Sequence, residues 1–265
     1  MALARASAAN VIEELGIGSA DDLRRLEDLA WARGVLVREG PIGGAEARLT
    51  VRGRHGVITV SSRVENRHRR RYAIAHEIGH FEMHRGESQL TVCVEADIDR
   101  RFGTKYESAM RREVDANEFA SHLLIPEKIA LPLVTGVKPS MKVAKSLGDD
   151  FDVSLTAAAL AYMRMCNDIC AIVYSKDGLV KWFAPSKDFR ELGFFVELGP
   201  IDGYTIAADF FRGRTVTDAL MSVDTVSWLA PRGFDRESMI KEHSVPMPSY
   251  NAVLSLLWVD KDIGF

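Results

Sequence analysis

The segment Arg71-Tyr72-Ala73-Ile74-Ala75-His76-Glu77-Ile78-Gly79-His80 decides how the rest of the chain is read. Histidines four positions apart lie on one face of a helix, because four residues make slightly more than one turn. Both imidazoles then reach one ion at about 2.0–2.1 Å, the usual zinc–nitrogen distance. Glu77 follows the first histidine and is displaced around the helix. It is placed instead to take a proton from water at the metal, the division of labour in an HExxH helix. Gly79 costs such a helix about 1 kcal/mol relative to alanine and lets another element come close. A chance HExxH would sit on a solvated face. Here Ala73, Ile74, Ala75, Ile78 and Phe81 surround the motif, so the helix is expected to be buried, where His and Glu without partners are expensive.

A catalytic zinc site has three protein ligands and one open position, so a third donor is needed. His84 continues the four-residue step, but positions 76 and 84 are about 12 Å apart along a straight helix. It is read as a helix-end residue beside the cleft. The second strongly helical stretch, RREVDANEFASHLLIP (111–126), offers Glu113 and Asn117 on one face. Glu113 completes a two-His, one-Glu set, and Asn117 is placed to bond a ligating imidazole and fix its ring. Phe119, Ala120, Leu123 and Leu124 would pack this helix on the motif helix. Asp115 is the rival ligand, although it points away from the Glu113/Asn117 face. His122 reads as structural or surface. Zinc is the expected ion; manganese or iron(II) also suits such a set.

Outward from these helices, 21–33 has a helical period with Gly34 as a stop. Three β-like runs follow, at 35–39, 47–51 and 56–61, and suggest a small antiparallel sheet. The motif helix is expected over about 65–85, an irregular loop or flap over 86–105, and the second helix over about 107–124, ended by Pro126. Residues 141–147 and 154–165 read as two short helices joined by Gly148 and an acidic turn. The remainder reads mostly as strand: CAIVY and LVKWFA around a Lys176-Asp177-Gly178 turn, then 193–198, 225–230 and 251–259.

A chain of 265 residues is long enough for one large domain or two to three small ones. Its net charge of −3 argues against a general polyanion binder. Three cysteines, Cys93, Cys166 and Cys170, cannot all pair and are too sparse for a disulfide scaffold. With no apolar core of a signal peptide and no membrane-length apolar run, a cytoplasmic setting is expected, with no membrane partner.

Taken together, RYAIAHEIGHFEMHR (71–85) and EVDANEFASHLLIP (113–126) resemble the ImmA/IrrE family of metallopeptidases. The resemblance implies an α+β chain: a zincin-like metallopeptidase domain over 1–130, a helical HTH-like segment over 131–167 and a GAF-like α/β sensor domain over 168–265. It implies that His76, His80 and Glu113 bind zinc and that Glu77 is the general base or acid. The sequence has Ala73 where the family often has Thr, and 86–112 is longer than in many members. Members cleave HTH-type repressors or antitoxins and so derepress stress-response or mobile-element genes. A small-molecule or protein signal would act at the last domain. The competing reading is a ligand-sensing regulatory protein whose metal site is structural or vestigial; the intact Glu77 speaks against it.

Direct DNA binding is not expected, because 155–165 (LTAAALAYMRM) has one Arg and almost nothing that reads bases or holds phosphates. The basic run Arg67, His68, Arg69, Arg70 and Arg71 is read as a solvated helix end. Cys166 and Cys170 are read as buried thiols. Tyr72, His84 and His243 are the candidates for stabilising an oxyanion.

Overall fold

Ala4, Ala8, Val11 and Ile12 recur at a helical period and form the buried stripe of α1 (Ala2–Glu14). The next helical stretch is broken. A 3-10 turn (Asp21–Leu23) is followed by α2 (Leu26–Ala32), where one helix over 21–33 was expected. The cause is distant in sequence: the Leu23 and Arg24 carbonyls accept from the Arg71 guanidinium at 2.9 and 2.7 Å. Carbonyls satisfied in that way do not need the amides of a next helical turn.

β1 (Val35–Gly40), β2 (Ala47–Arg52), β3 (His55–Ser61) and β4 (Leu90–Thr91) form a sheet in the order β1-β3-β2-β4. It is mixed, not antiparallel as expected. β2 and β3 form a hairpin, with Leu49 opposite Ile58, but β1 lies parallel to β3, with Val37 opposite Ile58. Leu49, Ile58 and Val60 are buried on a sheet against which α3 (Arg67–His84) packs. At Gly56 a Cβ would come within 3.1 Å of the Phe81 ring, so a glycine is what lets the motif helix seat on the strand.

α4 (Gly103–Leu124) crosses α3 where Gly79 faces Phe119, and a Cβ there would stand 3.0 Å from the ring. The close approach read from Gly79 is therefore an approach by α4. Pro126 ends that helix but is followed at once by α5 (Glu127–Val134). The computed structural model describes residues 2–84, 90–91, 103–230 and 238–259. Most of the expected flap over 86–105 lies outside them.

α6 (Met141–Phe151) runs through Gly148 instead of ending there, and Asp152 at φ 53° turns the chain into α7 (Leu155–Met165). The chain divides into two units, Met1–Ala130 with Asp149–Ser154, and Leu131–Gly148 with Leu155–Phe265.

The second unit is built on a six-stranded antiparallel sheet. Its strands are β5 (Ile169–Lys176), β6 (Leu179–Pro185), β7 (Gly199–Pro200), β8 (Met221–Asp224), β9 (Met239–Met247) and β10 (Ala252–Val259). Their order is β7-β6-β5-β10-β9-β8. All eight residues of β10 are buried, seven of them apolar and the other Ser255, as suits a central strand. The β5–β6 hairpin has Asp177 and Gly178 both at positive φ, the type I′ geometry that matches strand twist. Helices α8 (Lys187–Glu191) and α9 (Ile206–Phe211) are short, each with a side-chain cap, from Ser186 and Thr205. Two expected strands are absent. In 193–198 only Val196 bridges to Leu229, and 225–230 begins with a 3-10 turn. Trp228 and Val196 still enter the core, so the apolar pattern was a burial signal without a ladder behind it. Cys166 and Cys170 are free and buried. The fold class is α+β, and no helix among the described residues is long and apolar enough to cross a membrane.

Candidate metal centre

Helix pitch brings Tyr72, His76, His80 and His84 along successive turns of α3, and α4 supplies Glu113 and Asn117. His76 Nε2 lies 3.1 Å from His80 Nε2. Glu113 closes the triangle, with its oxygens 3.2 Å from His76 Nε2 and 3.3 Å from His80 Nε2. Four bonds of 2.0–2.1 Å at tetrahedral angles would separate ligand atoms by about 3.3–3.4 Å, so the triangle fits a zinc-sized ion. The donor set suits zinc and also manganese or iron(II). Among the described residues it is the one such His/Cys/Asp/Glu group. Asp115 is not part of it, and His122 pairs with Glu118 at 3.6 Å.

The imidazoles are held from behind. His76 Nδ1 lies 3.0 Å from Asn117 Oδ1, which also accepts from the Tyr72 hydroxyl at 2.7 Å. With its proton on Nδ1, His76 keeps the Nε2 lone pair for an ion. Tyr72 is the part that sequence reasoning missed in this role, since a residue four before a ligand gives no sign of sharing an acceptor with it. Burial and the Glu118 charge push its hydroxyl up to about 12, so it stays a neutral donor. His84 is outside the ligand triangle, with Nδ1 3.1 Å from His80 Nδ1. His243 belongs to the second unit, where it meets Asp218 at 2.9 Å and accepts from the Met141 amide at 3.3 Å.

Electrostatics follow from the same contacts. Burial disfavours a charge on His76, but its bonds to the Glu113 and Asn117 oxygens and the charge of Glu77 outweigh it and raise its pKa. Burial likewise opposes ionisation of Glu113, yet His76 and His80 hold its carboxyl well below the usual range. Glu77 is 1% exposed and lines a cleft of about 640 Å³ together with His76, Glu113, Tyr72 and Asn117.

The basic run is solvated in part, since Arg67 and Arg69 are exposed, but its members are paired within the chain. Arg71 is buried and donates to the Asp152, Leu23, Arg24 and Phe151 carbonyls. Arg67 and His68 meet the Asp152 carboxylate, Arg69 meets Glu46 and Arg70 meets Glu27. At the other end of the helix, Arg33 forks onto Glu82 at 2.8 and 2.9 Å. Both ends of α3 are thus clamped while its middle faces the cleft, which favours a fixed ligand geometry.

A comparison with curated proteins found no match. Among solved structures, a transcriptional regulator from Mycobacterium tuberculosis superposes with a TM-score of 0.55 at 14% identity, covering 97% of this chain and 77% of that one. At that identity the likeness bears on fold alone. Residues 31–162 match the IrrE N-terminal-like domain of a peptidase family, a span that contains both helices of the site. With its motif pair in that domain, the chain is a member of the ImmA/IrrE peptidase family.

Proposed function

We propose that the chain is a cytoplasmic, zinc-dependent, site-specific endopeptidase that cleaves an HTH-type transcriptional repressor or antitoxin. The observation that carries this is the convergence of His76, His80 and Glu113 on one point beside a cleft whose lining includes Glu77. His76, His80 and Glu113 would hold the ion, and Asn117 orients His76. Zinc bound there supplies Lewis acidity, which acidifies water and polarises a peptide carbonyl. Glu77 accepts the proton of the attacking water and delivers it to the leaving amide nitrogen. Its burial beside His76 keeps that proton from exchanging freely with solvent. The clamps on α3 keep the base and both imidazoles in register during that transfer.

In the same reading, residues 1–130 are the peptidase domain and 131–167 an HTH-like helical segment that does not read DNA. In support, α7 buries Ala158, Ala159, Tyr162 and Met163. Residues 168–265, an antiparallel sheet with short helices, form a GAF-like domain that receives a small-molecule or protein signal.

The test is co-expression with the HTH-type regulator encoded beside the gene, comparing the native chain with Glu77→Gln. Cleavage is expected from the native chain and should fall by roughly 10²–10⁴-fold in the variant, with zinc content unchanged. A regulator left whole by zinc-loaded native protein would remove that substrate. The second unit, with a six-stranded sheet of its own, is the observation behind one alternative, a ligand-sensing regulator with a structural metal site. It predicts stoichiometric zinc and no Glu77-dependent cleavage of any partner.

A further inference from the structure

An imidazole that binds an ion through Nε2 carries its proton on Nδ1, and that proton needs an acceptor. His76 and His80 meet this need differently. His76 Nδ1 faces an amide oxygen of Asn117 at 3.0 Å, whereas His80 Nδ1 faces a second imidazole nitrogen, His84 Nδ1, at 3.1 Å. Two ring nitrogens at that distance share one proton, so one donates and the other must offer a lone pair. His80 is 1% exposed, and the His80 and His84 rings are 5.3 Å apart between centroids.

Resting on the metal centre proposed above, we propose that His84 is a positioning residue. Its Nδ1 lone pair accepts the Nδ1 proton of His80, which leaves the Nε2 lone pair of His80 for the ion. In the opposite assignment His84 donates, and the proton of a neutral His80 moves to Nε2. It would then sit between His76 Nε2 at 3.1 Å and Glu113 Oε1 at 3.3 Å, where the ion belongs. The same pitch that keeps His84 from sharing an ion with His76 sets it one turn beyond His80, within reach of the nitrogen turned away from the ion. The repeated four-residue step thus has two uses. Its first interval sets two ligands on one ion, and its second sets the tautomer of the inner ligand.

Asparagine is the informative substitution, because its side-chain oxygen stands about where histidine places Nδ1 and can only accept. The experiment measures zinc affinity of the full chain by chelator competition for native protein, His84→Ala, His84→Asn and His80→Ala. It also takes imidazole ¹⁵N spectra of the zinc-loaded native protein. His84→Ala should weaken zinc roughly 10–100-fold, and His84→Asn should stay within roughly threefold of native. The spectra should show the proton of His80 on Nδ1 and that of His84 on Nε2. Native-like affinity in His84→Ala, an Asn variant as weak as Ala, or a proton on His84 Nδ1 would each overturn the role of His84. Should His84→Ala fail to fold, the Asn variant and the native spectra decide. Unchanged affinity in His80→Ala would instead refute the metal centre itself, a separate result.

Discussion

Glu113 and Glu242 are both drawn into clusters of polar groups, and their surroundings differ in one respect that sorts their roles. Around Glu113 the neighbours are two imidazole nitrogens from another helix, and its side chain remains 42% exposed beside the cleft. Around Glu242, which is fully buried, every neighbour brings a hydrogen. The amides of Ile206 and Ala207 donate at 3.0 and 2.7 Å, Trp228 Nε1 at 2.8 Å and Ser244 Oγ at 2.6 Å. Two nitrogens that can each offer a lone pair meet the first acid, and only donors meet the second. The first arrangement calls for a cation. The second is complete as it stands, an anchor that joins the start of α9, the Trp228 turn and the β9 strand.

The largest effect that would break this contrast is on metal binding. His80→Ala should weaken zinc roughly a thousandfold, while Glu242→Ala should leave affinity within error. Equal losses in the chelator assay would mean that the two clusters are not separable in function. Next in size is stability. Glu242→Ala strands the Ile206 and Ala207 amides and Trp228 Nε1 in the core, while Ser244 keeps Ser255 at 2.6 Å. It should cost the second unit about 3 kcal/mol or more, read as an earlier transition in denaturant. A midpoint shift worth under about 1 kcal/mol would show that water or rearrangement satisfies those donors.

A smaller effect sharpens the claim that α4 must approach α3 closely to deliver Glu113. Gly79→Ala forces a methyl against Phe119. Overpacking costs about 1–3 kcal/mol and better helix propensity returns about 1. A net loss of up to about 2 kcal/mol is expected, together with weaker zinc binding; a stabilised variant with native affinity would refute the tight crossing.

The smallest effect is one of sign. Burial raises the Glu242 carboxyl against the bonds from Ser244, Trp228, Ile206 and Ala207, whereas Glu113 is held low by His76 and His80 against its partial burial. A raised folded pKa means that the Glu242 contribution is full below the unfolded value of about 4.3 and fades as pH rises through the folded one. A depressed one means that the Glu113 contribution is present above about 4.3 and is lost as pH falls through its folded value. In metal-free protein, the stability difference between native and Glu242→Gln should therefore shrink with rising pH. The difference between native and Glu113→Gln should grow. Parallel slopes in pH-dependent unfolding would refute the assignment.

The two helices that bring His76, His80 and Glu113 together were legible because their signals are local: a four-residue step on a helix determines which side chains share a face, whatever surrounds it. The β5–β6 turn was legible for the same reason, since Asp177-Gly178 can adopt the positive φ that a tight hairpin needs. What was misread depended on partners far along the chain. Arg71 looked solvated with the rest of the basic run because nothing near it in sequence announces four backbone carbonyls, two of them in Phe151 and Asp152. The parallel pairing of β1 with β3 was hidden, because alternation reports a buried face and not a neighbour's direction. Glu242 drew no notice at all: a glutamate in KEHSV reads as a surface residue until Trp228 and the start of α9 are brought to it.

The sequence by itself determined that two histidines of one helix, and a glutamate of a second, could meet an ion, because helical pitch is a property of the backbone alone. Only the tertiary structure decided that the two helices cross at Gly79 closely enough for Glu113 to come within 3.3 Å of both rings. It also decided that Asn117 stands behind the His76 ring, and that Arg71 and Arg33 clamp the helix that carries it. Those contacts join residues tens of positions apart, and packing creates them where no local pattern can.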